Sequence, residues 1–203
     1  MSIAASLLVI ILSLNIKKLN EVKATKGFTD VNPDEYAKRF WAQELPGCIR
    51  NATEISQLVN LLKTDPQKAF NNYSHQLGIS QTFYFMVKGF GKIVSVEEEY
   101  LKVEIDERIS VQIATDFIFG NAVRDGSGKV NIDDFLNMTN FNNVSIAINK
   151  LVKDRVVAPL RAFKKSGMLL EFVGATEICQ ENMDLNAIRI IPISIIYSDG
   201  KTK

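Results

Sequence analysis

The sequence predicts an α+β fold in which N-terminal helices pack on a C-terminal five-stranded OB-fold-like barrel, in the order β-β-β-α-β-β. Three observations predict it. Apolar residues recur at helical spacing before about residue 80, period-2 alternation takes over from Thr82, and the first long β run is broken by Gly89-Phe90-Gly91. A glycine inside a strand weakens packing and needs a structural reason. Bending one long strand around a barrel corner, so that it pairs on both sides, supplies that reason.

The 203 residues are 46% hydrophobic and 23% charged, which excludes a disordered tail, a collagen-like fibre and a disulfide-stapled miniprotein. Basic and acidic side chains nearly cancel, 24 against 23. No whole-molecule field draws in a phosphate backbone, so a general nucleic-acid binder is not expected.

Residues 3–14 (IAASLLVIILSL) are apolar apart from Ser6 and Ser13 and are similar to the h-region of an export signal. They fall short of the roughly 20 residues that a spanning helix needs. Residues 1–14 are therefore read as a signal- or anchor-like segment, with a buried N-terminal element as the alternative. Residues 15–29 are read as a linker. The lysines Lys17, Lys18, Lys23 and Lys26 follow the apolar run instead of preceding it, and no cysteine lies close enough behind it to be a lipidation site.

A helical subdomain is expected over 30–80. Asp30-Val31-Asn32-Pro33-Asp34 carries helix-start chemistry, with a polar cap, proline in the first turn and acidic residues beside it. Tyr36, Phe40 and Trp41 follow on one face, and Leu45-Pro46-Gly47 is expected to end the helix. Ile55, Leu58, Val59 and Leu62 then form an amphipathic stripe, and Thr64-Asp65-Pro66 stops that helix and starts another through Tyr73. The barrel domain, 81–199, is expected to begin with the glycine-broken strand from Thr82 to Val96. Tyr100 to Ile105 and Val111 to Phe119 follow as strands. Next comes a helix that turns Val144, Ala147, Ile148, Leu151, Val152 and Val156 inward to plug the barrel, with Pro159 near its end. Met168 to Cys179 and Ile188 to Tyr197 complete the set.

Few residues offer chemistry. Cys48 and Cys179 form no CxxC knuckle and read as two buried free thiols, with a bridge as the alternative in an exported protein. His75 is the single histidine, which removes paired-histidine metal sites, and its polar surroundings read as the exposed end of a helix. Gly89-Phe90-Gly91 lacks the third glycine and the following helix of a dinucleotide fingerprint. The stretch from Asp125 to Phe135 superficially matches a calcium loop. With Gly128 as the turn glycine, however, Val123 falls on the first ligand position and Asp134 replaces the final glutamate. It reads as a capped turn leading into a helix, so neither a metal nor another cofactor is expected. The candidate polar cluster is Arg124, Asp125 and Asn137, either a ligand-binding group at one barrel mouth or a structural ion pair beside a helix cap.

An ordered series of short motifs carries a resemblance. Lys88-Gly89-Phe90-Gly91-Lys92-Ile93-Val94 is followed by Val111-Gln112-Ile113, Gly120-Asn121-Ala122-Val123-Arg124-Asp125, Asp134-Phe135-Leu136-Asn137-Met138 and Ala147-Ile148-Asn149. Glu171-Phe172-Val173-Gly174-Ala175 and Ile190-Ile191-Pro192-Ile193 complete it. From Tyr84 onward the chain resembles a bacterial family of predicted periplasmic lipoproteins of unknown function, whose genes commonly accompany sugar ABC-transporter genes. The resemblance implies a cell-envelope location, periplasmic or anchored at the inner membrane, and an association with carbohydrate uptake. It supplies no activity. The expected protein is a noncatalytic envelope protein, not an enzyme. Its expected partners are an envelope protein or transporter component, a small polar ligand, and the membrane through the N-terminal segment. The alternative is an OB-fold module that binds oligosaccharide or oligonucleotide, with Phe83, Tyr84, Phe85 and Phe90 as stacking groups.

Overall fold

The structure is a computed structural model that describes residues 31–116, 118–163 and 165–198. The signal- or anchor-like segment 1–14 and the linker 15–29 lie outside the described residues. Helix α1, Pro33–Arg39, starts as its sequence dictates. The Asn32 side chain accepts from the amides of Asp34 and Glu35, and Pro33 occupies the first turn, where its missing N–H is not needed. The helical path does not end at Leu45-Pro46-Gly47. A π turn over Phe40–Glu44, closed by the Leu45 amide donating to the Phe40 carbonyl, leads into α2, Leu45–Arg50. Pro46 thus sits in the first turn of a new helical segment, which tolerates a residue that cannot donate.

Helices α3, Ile55–Thr64, and α4, Pro66–Tyr73, form a hairpin whose joint is capped by the Asp65 side chain accepting from the Lys68 amide. Ile55, Leu58, Val59 and Leu62 are all buried, as their spacing predicts. The residues after Tyr73 are not a helix end. Ser74–Gln76 forms a short strand, β2, paired antiparallel with the next long strand, so His75 lies opposite Tyr84. Thr53–Glu54, β1, adds a brief parallel pairing to that same strand.

The long strand is β3, Thr82–Val96, and it continues through both glycines. It is followed by β4, Tyr100–Asp106, and β5, Ile109–Ala114. The short helix α5, Ala122–Gly126, leads to α6, Met138–Val152. A π turn over Lys153–Val157 joins α6 to α7, Ala158–Phe163, and β6, Leu169–Cys179, and β7, Arg189–Ser198, follow. Pairings run β3–β4–β5–β7–β6 and return from β6 to β3, so the five long strands make a closed circuit. The parallel β5–β7 seam is its shortest link, with Gln112 opposite Arg189 and Ile113 opposite Ile190.

Local sequence explains the curvature. A Cβ at Gly91 would run into the Glu104 backbone carbonyl, and one at Gly89 would meet Ile55 and Phe172. The strand therefore bends where only glycine fits. Pro192, which cannot donate, sits opposite Gly174 at a register shift between β6 and β7. The third strand stops at Ala114, short of the expected Phe119. The amides of Thr115 and Asp116 both donate to the Glu99 carbonyl, which draws the chain away from the ladder.

Two apolar clusters lie on opposite faces of this sheet. Inside the circuit, Phe85, Val87, Ile93, Leu101, Val103, Val111, Ile113 and Phe172 pack with the α3–α4 hairpin and Leu160 of α7. Outside it, Met86, Val173, Ala175, Ile191 and Ile193 pack with α1, α2, α5 and α6. The expected plug is therefore corrected. Helix α6 buries Val144, Ala147, Ile148 and Val152 against the outer layer, and the α3–α4 hairpin closes the inner core. Both cysteines are free, Cys48 buried and Cys179 half-buried.

Candidate binding site

Arg124 and Asp125 lie on α5, pressed against β3 and β6, with 1% and 7% of their surface exposed. The guanidinium donates to both oxygens of its neighbour, from Nε to Oδ1 at 2.6 Å and from its terminal nitrogen to Oδ2 at 3.0 Å. It also donates to the Phe141 carbonyl at 3.1 Å and to Asn142 Oδ1 at 3.4 Å, and its centre lies 3.5 Å from the centroid of the Phe141 ring. Asn137 stands one turn before Phe141 and caps α6, its Oδ1 accepting from the Asn140 amide at 2.9 Å. Arg124 and Asp125 thus come together, while the Asn137 side chain serves the helix start. Arg124 ties α5 to the first turn of α6 and makes four donor contacts in all. Among the described residues, no group of three His, Cys, Asp or Glu side chains is arranged to hold a metal ion.

The aromatic residues divide. Phe85 is fully buried, and Phe83 stacks on Phe70 with ring centroids 4.4 Å apart. Tyr84 is half-buried, and its hydroxyl is pushed above the ordinary range by burial first, then by the charges of Asp125 and Glu177. Of the four expected stacking groups, Phe90 alone is exposed. Phe85 is closed to a ligand, and Phe83 and Tyr84 are half-buried.

A cleft of about 610 Å³ opens at one end of the circuit. Its walls come from distant parts of the chain, namely Glu99 in the β3–β4 turn, Phe119 after β5, Glu177 and Cys179 at the end of β6, Asn182 and Asp184 in the β6–β7 turn, and Arg189 at the start of β7. Its frame is fixed by hydrogen bonds. Arg189 donates to the Asp116 carbonyl at 2.8 Å and lies 3.7 Å from the Glu99 carboxylate, while Arg161 of α7 holds the Asp116 side chain at 2.9 Å. The Asn149 amide of α6 donates to the carbonyl of Gly120, the positive-φ residue that follows Phe119. In the β6–β7 turn, the Asp184 side chain accepts from the Asn186 amide and the Gln180 amide donates to the Gln81 carbonyl. Phe119 exposes 66% of its surface beside Glu177, whose carboxyl is raised above the ordinary range by burial and then by Asp125. Apart from Cys179, none of these residues stood out in the sequence as a site residue. The local signal was the long polar connection Gln180–Ala187, since extended loops on a rigid scaffold commonly carry function.

A second cleft, about 520 Å³, lies on another side of α5, between α2, β2 and the segment 126–129. It holds the sole histidine. A Cβ on Gly128, whose φ is +61°, would overlap the His75 ring, so the imidazole lies directly on glycine backbone.

Fold and site together define a class, a small α+β domain whose closed five-strand circuit presents a ligand-sized, loop-framed cleft at one end. Sequence comparison makes the assignment specific. The chain belongs to the DUF2291 family, described as predicted periplasmic lipoproteins, whose model matches residues 4–196. That membership places the protein in the cell envelope. A solved OB-fold protein from Thermotoga maritima superimposes with a TM-score of 0.75 at 21% identity, covering 83% of this chain and 99% of that one. At that identity the likeness establishes the shared fold. No curated protein matches the chain.

Proposed function

We propose that the protein is a noncatalytic binding module of the cell envelope that takes a small, uncharged, hydroxylated ligand of the saccharide class in the cleft between Phe119 and the β6–β7 turn. The carrying observation is the composition of that cleft. Phe119, exposed over 66% of its surface, lines the cleft together with the Asn182 amide, the Arg189 guanidinium and the carboxylates of Glu99, Glu177 and Asp184. An aromatic face packs on the apolar side of a sugar ring, while carboxylates and amides hydrogen-bond its hydroxyls. Three carboxylates against one guanidinium repel a polyphosphate, which weighs against the oligonucleotide reading. OB folds bind oligosaccharides and oligonucleotides on the face flanked by equivalent loops, so the location suits the fold.

The noncatalytic part of the reading rests on the same wall. Cys179 lines the cleft, but the one imidazole of the chain lines a different one, so the thiol there has no imidazole partner. In this reading the apolar segment 1–14 tethers the module to the membrane, and an envelope partner such as a transporter component receives the ligand, giving an accessory role in carbohydrate uptake. The test is a thermal-shift screen of the full chain with neutral mono- and disaccharides, nucleotides and calcium, alongside retention on immobilised single-stranded DNA over a salt gradient. A saturable rise in Tm with a saccharide, lost in Phe119→Ala, supports the proposal. Salt-sensitive retention on DNA with no saccharide response overturns it.

A further inference from the structure

The second cleft differs in chemistry from the first. Its lining includes Asn51, Thr53, Asn72, Tyr73, Ser74, His75 and Lys129 over a floor of Cys48, Met86 and Gly126, and it contains no carboxylate. The floor is closed to solvent chemistry. Cys48 is buried, its Sγ donates to the carbonyls of Glu44 and Ser127, and burial raises its pKa. The walls are not satisfied in the same way. Among the described residues, no hydrogen bond or ion pair engages the side-chain amides of Asn51 and Asn72, the His75 ring or the Lys129 ammonium, whereas Ser74 donates to the Phe70 carbonyl and Tyr73 accepts from Gln57. Asp125 lines a smaller cavity that His75 and Lys129 also border, and its carboxylate is taken by Arg124.

We infer that this cleft is a separate binding site for a small hydroxylated anion, whose carboxylate or phosphate oxygens are held between the Lys129 ammonium and the His75 ring, with the Asn51 and Asn72 amides on the rest of the molecule. Four donor-bearing side chains line one cavity with no carboxylate in its wall, and the carboxylate bordering it, Asp125, is held by Arg124, so an oxyanion meets complementary groups. His75 is held for this role. Gly128 lets its ring lie flat on the backbone, and β2 fixes its position opposite Tyr84. Burial and the Lys129 charge both disfavour the imidazolium, and an anion bridging the two groups reverses the second effect. The volume, about 520 Å³, exceeds that of a lone inorganic ion and fits a sugar acid or sugar phosphate. The site is independent of the proposed saccharide cleft, which lies elsewhere on the circuit and carries the opposite charge.

The single histidine makes the experiment direct, because in deuterium oxide, with the amides exchanged, its Cε1–H proton resonance has no other histidine to be confused with. The full-length protein is titrated with inorganic phosphate and, separately, with citrate, at constant ionic strength set by sodium chloride. A saturable shift of that resonance with either probe, weakened about tenfold or more in Lys129→Gln and unchanged in Phe119→Ala, supports the site. A response to phosphate alone assigns the group as phosphate, and a response to citrate alone assigns it as carboxylate. The absence of a saturable shift with both probes, or a shift that Lys129→Gln leaves intact, overturns the inference. Unchanged far-UV circular dichroism of Lys129→Gln in chloride keeps misfolding from passing as lost binding. Failure in this cleft leaves the saccharide reading standing, because the Phe119 variant reports on that one.

Discussion

Replacing Arg124 with methionine tests how the α5 corner is held. The substitution keeps an unbranched apolar stem over the Phe141 ring but removes every polar contact. It strands the Asp125 carboxylate, 7% exposed, and takes a donor from the Phe141 carbonyl. Breaking a buried pair by deleting one partner costs about 3–5 kcal/mol, because the surviving charge stays in a poorly solvating place. Typical domains are stable by about 5–15 kcal/mol, so the loss is a large share of the total. The double variant Arg124→Met, Asp125→Leu removes both charges and should recover at least about 2 kcal/mol of the single-variant loss. Urea unfolding followed by Trp41 fluorescence, the one tryptophan in the chain, and by far-UV circular dichroism measures both numbers. A single-variant cost below about 1 kcal/mol, or a double variant no better than the single, would refute the reasoning.

Four further outcomes follow. Gly91→Ala drives a methyl group into the Glu104 carbonyl and should destabilise by at least about 2 kcal/mol in the same assay. Gly47→Ala, in α2, meets only the far end of Arg50 and should be neutral or stabilise by up to about 1 kcal/mol. Burial, and then Asp125, raise the folded-state pKa of Glu177, so the folded protein holds that proton more tightly than the unfolded chain does. Stability therefore falls as pH rises through the raised value, and Glu177→Gln should raise Tm at neutral pH but not below about pH 4, as thermal melts across pH can show. His75 should titrate below its ordinary 6.5 in an NMR pH series. Because burial is the larger cause, Lys129→Gln should move that midpoint only part of the way back.

How much was legible in the sequence depended on whether the signal was local. The stripe Ile55, Leu58, Val59, Leu62 and the glycines of β3 could be read directly, because each pattern reflects a constraint within a few residues. Amphipathicity states that a face is buried, not against what. That is why α6 was expected to plug the circuit although the α3–α4 hairpin lies against its inner core. The passage through Pro46 was hidden because a π turn is a backbone accommodation with no residue pattern of its own. His75 was misplaced because a three-residue strand of polar side chains has no alternation to detect. It becomes a strand by pairing with β3. For Arg124 and Asp125 the pairing was readable from adjacency, but their depth was not, since only the packing of α5 against β3 and β6 buries them. The cleft lined by Glu99, Phe119, Glu177 and Arg189 exists only once the strands have closed, and no local spacing foretells it.

The most direct measurement of the functional account is an amide NMR titration of the full chain with neutral saccharides. Binding at the proposed cleft predicts saturable shifts grouped on Phe119, Asn182, Asp184 and Arg189, with His75 and Lys129 in the other cleft unmoved. Shifts centred on the Phe90 face, or no response to any saccharide tried, would contradict it.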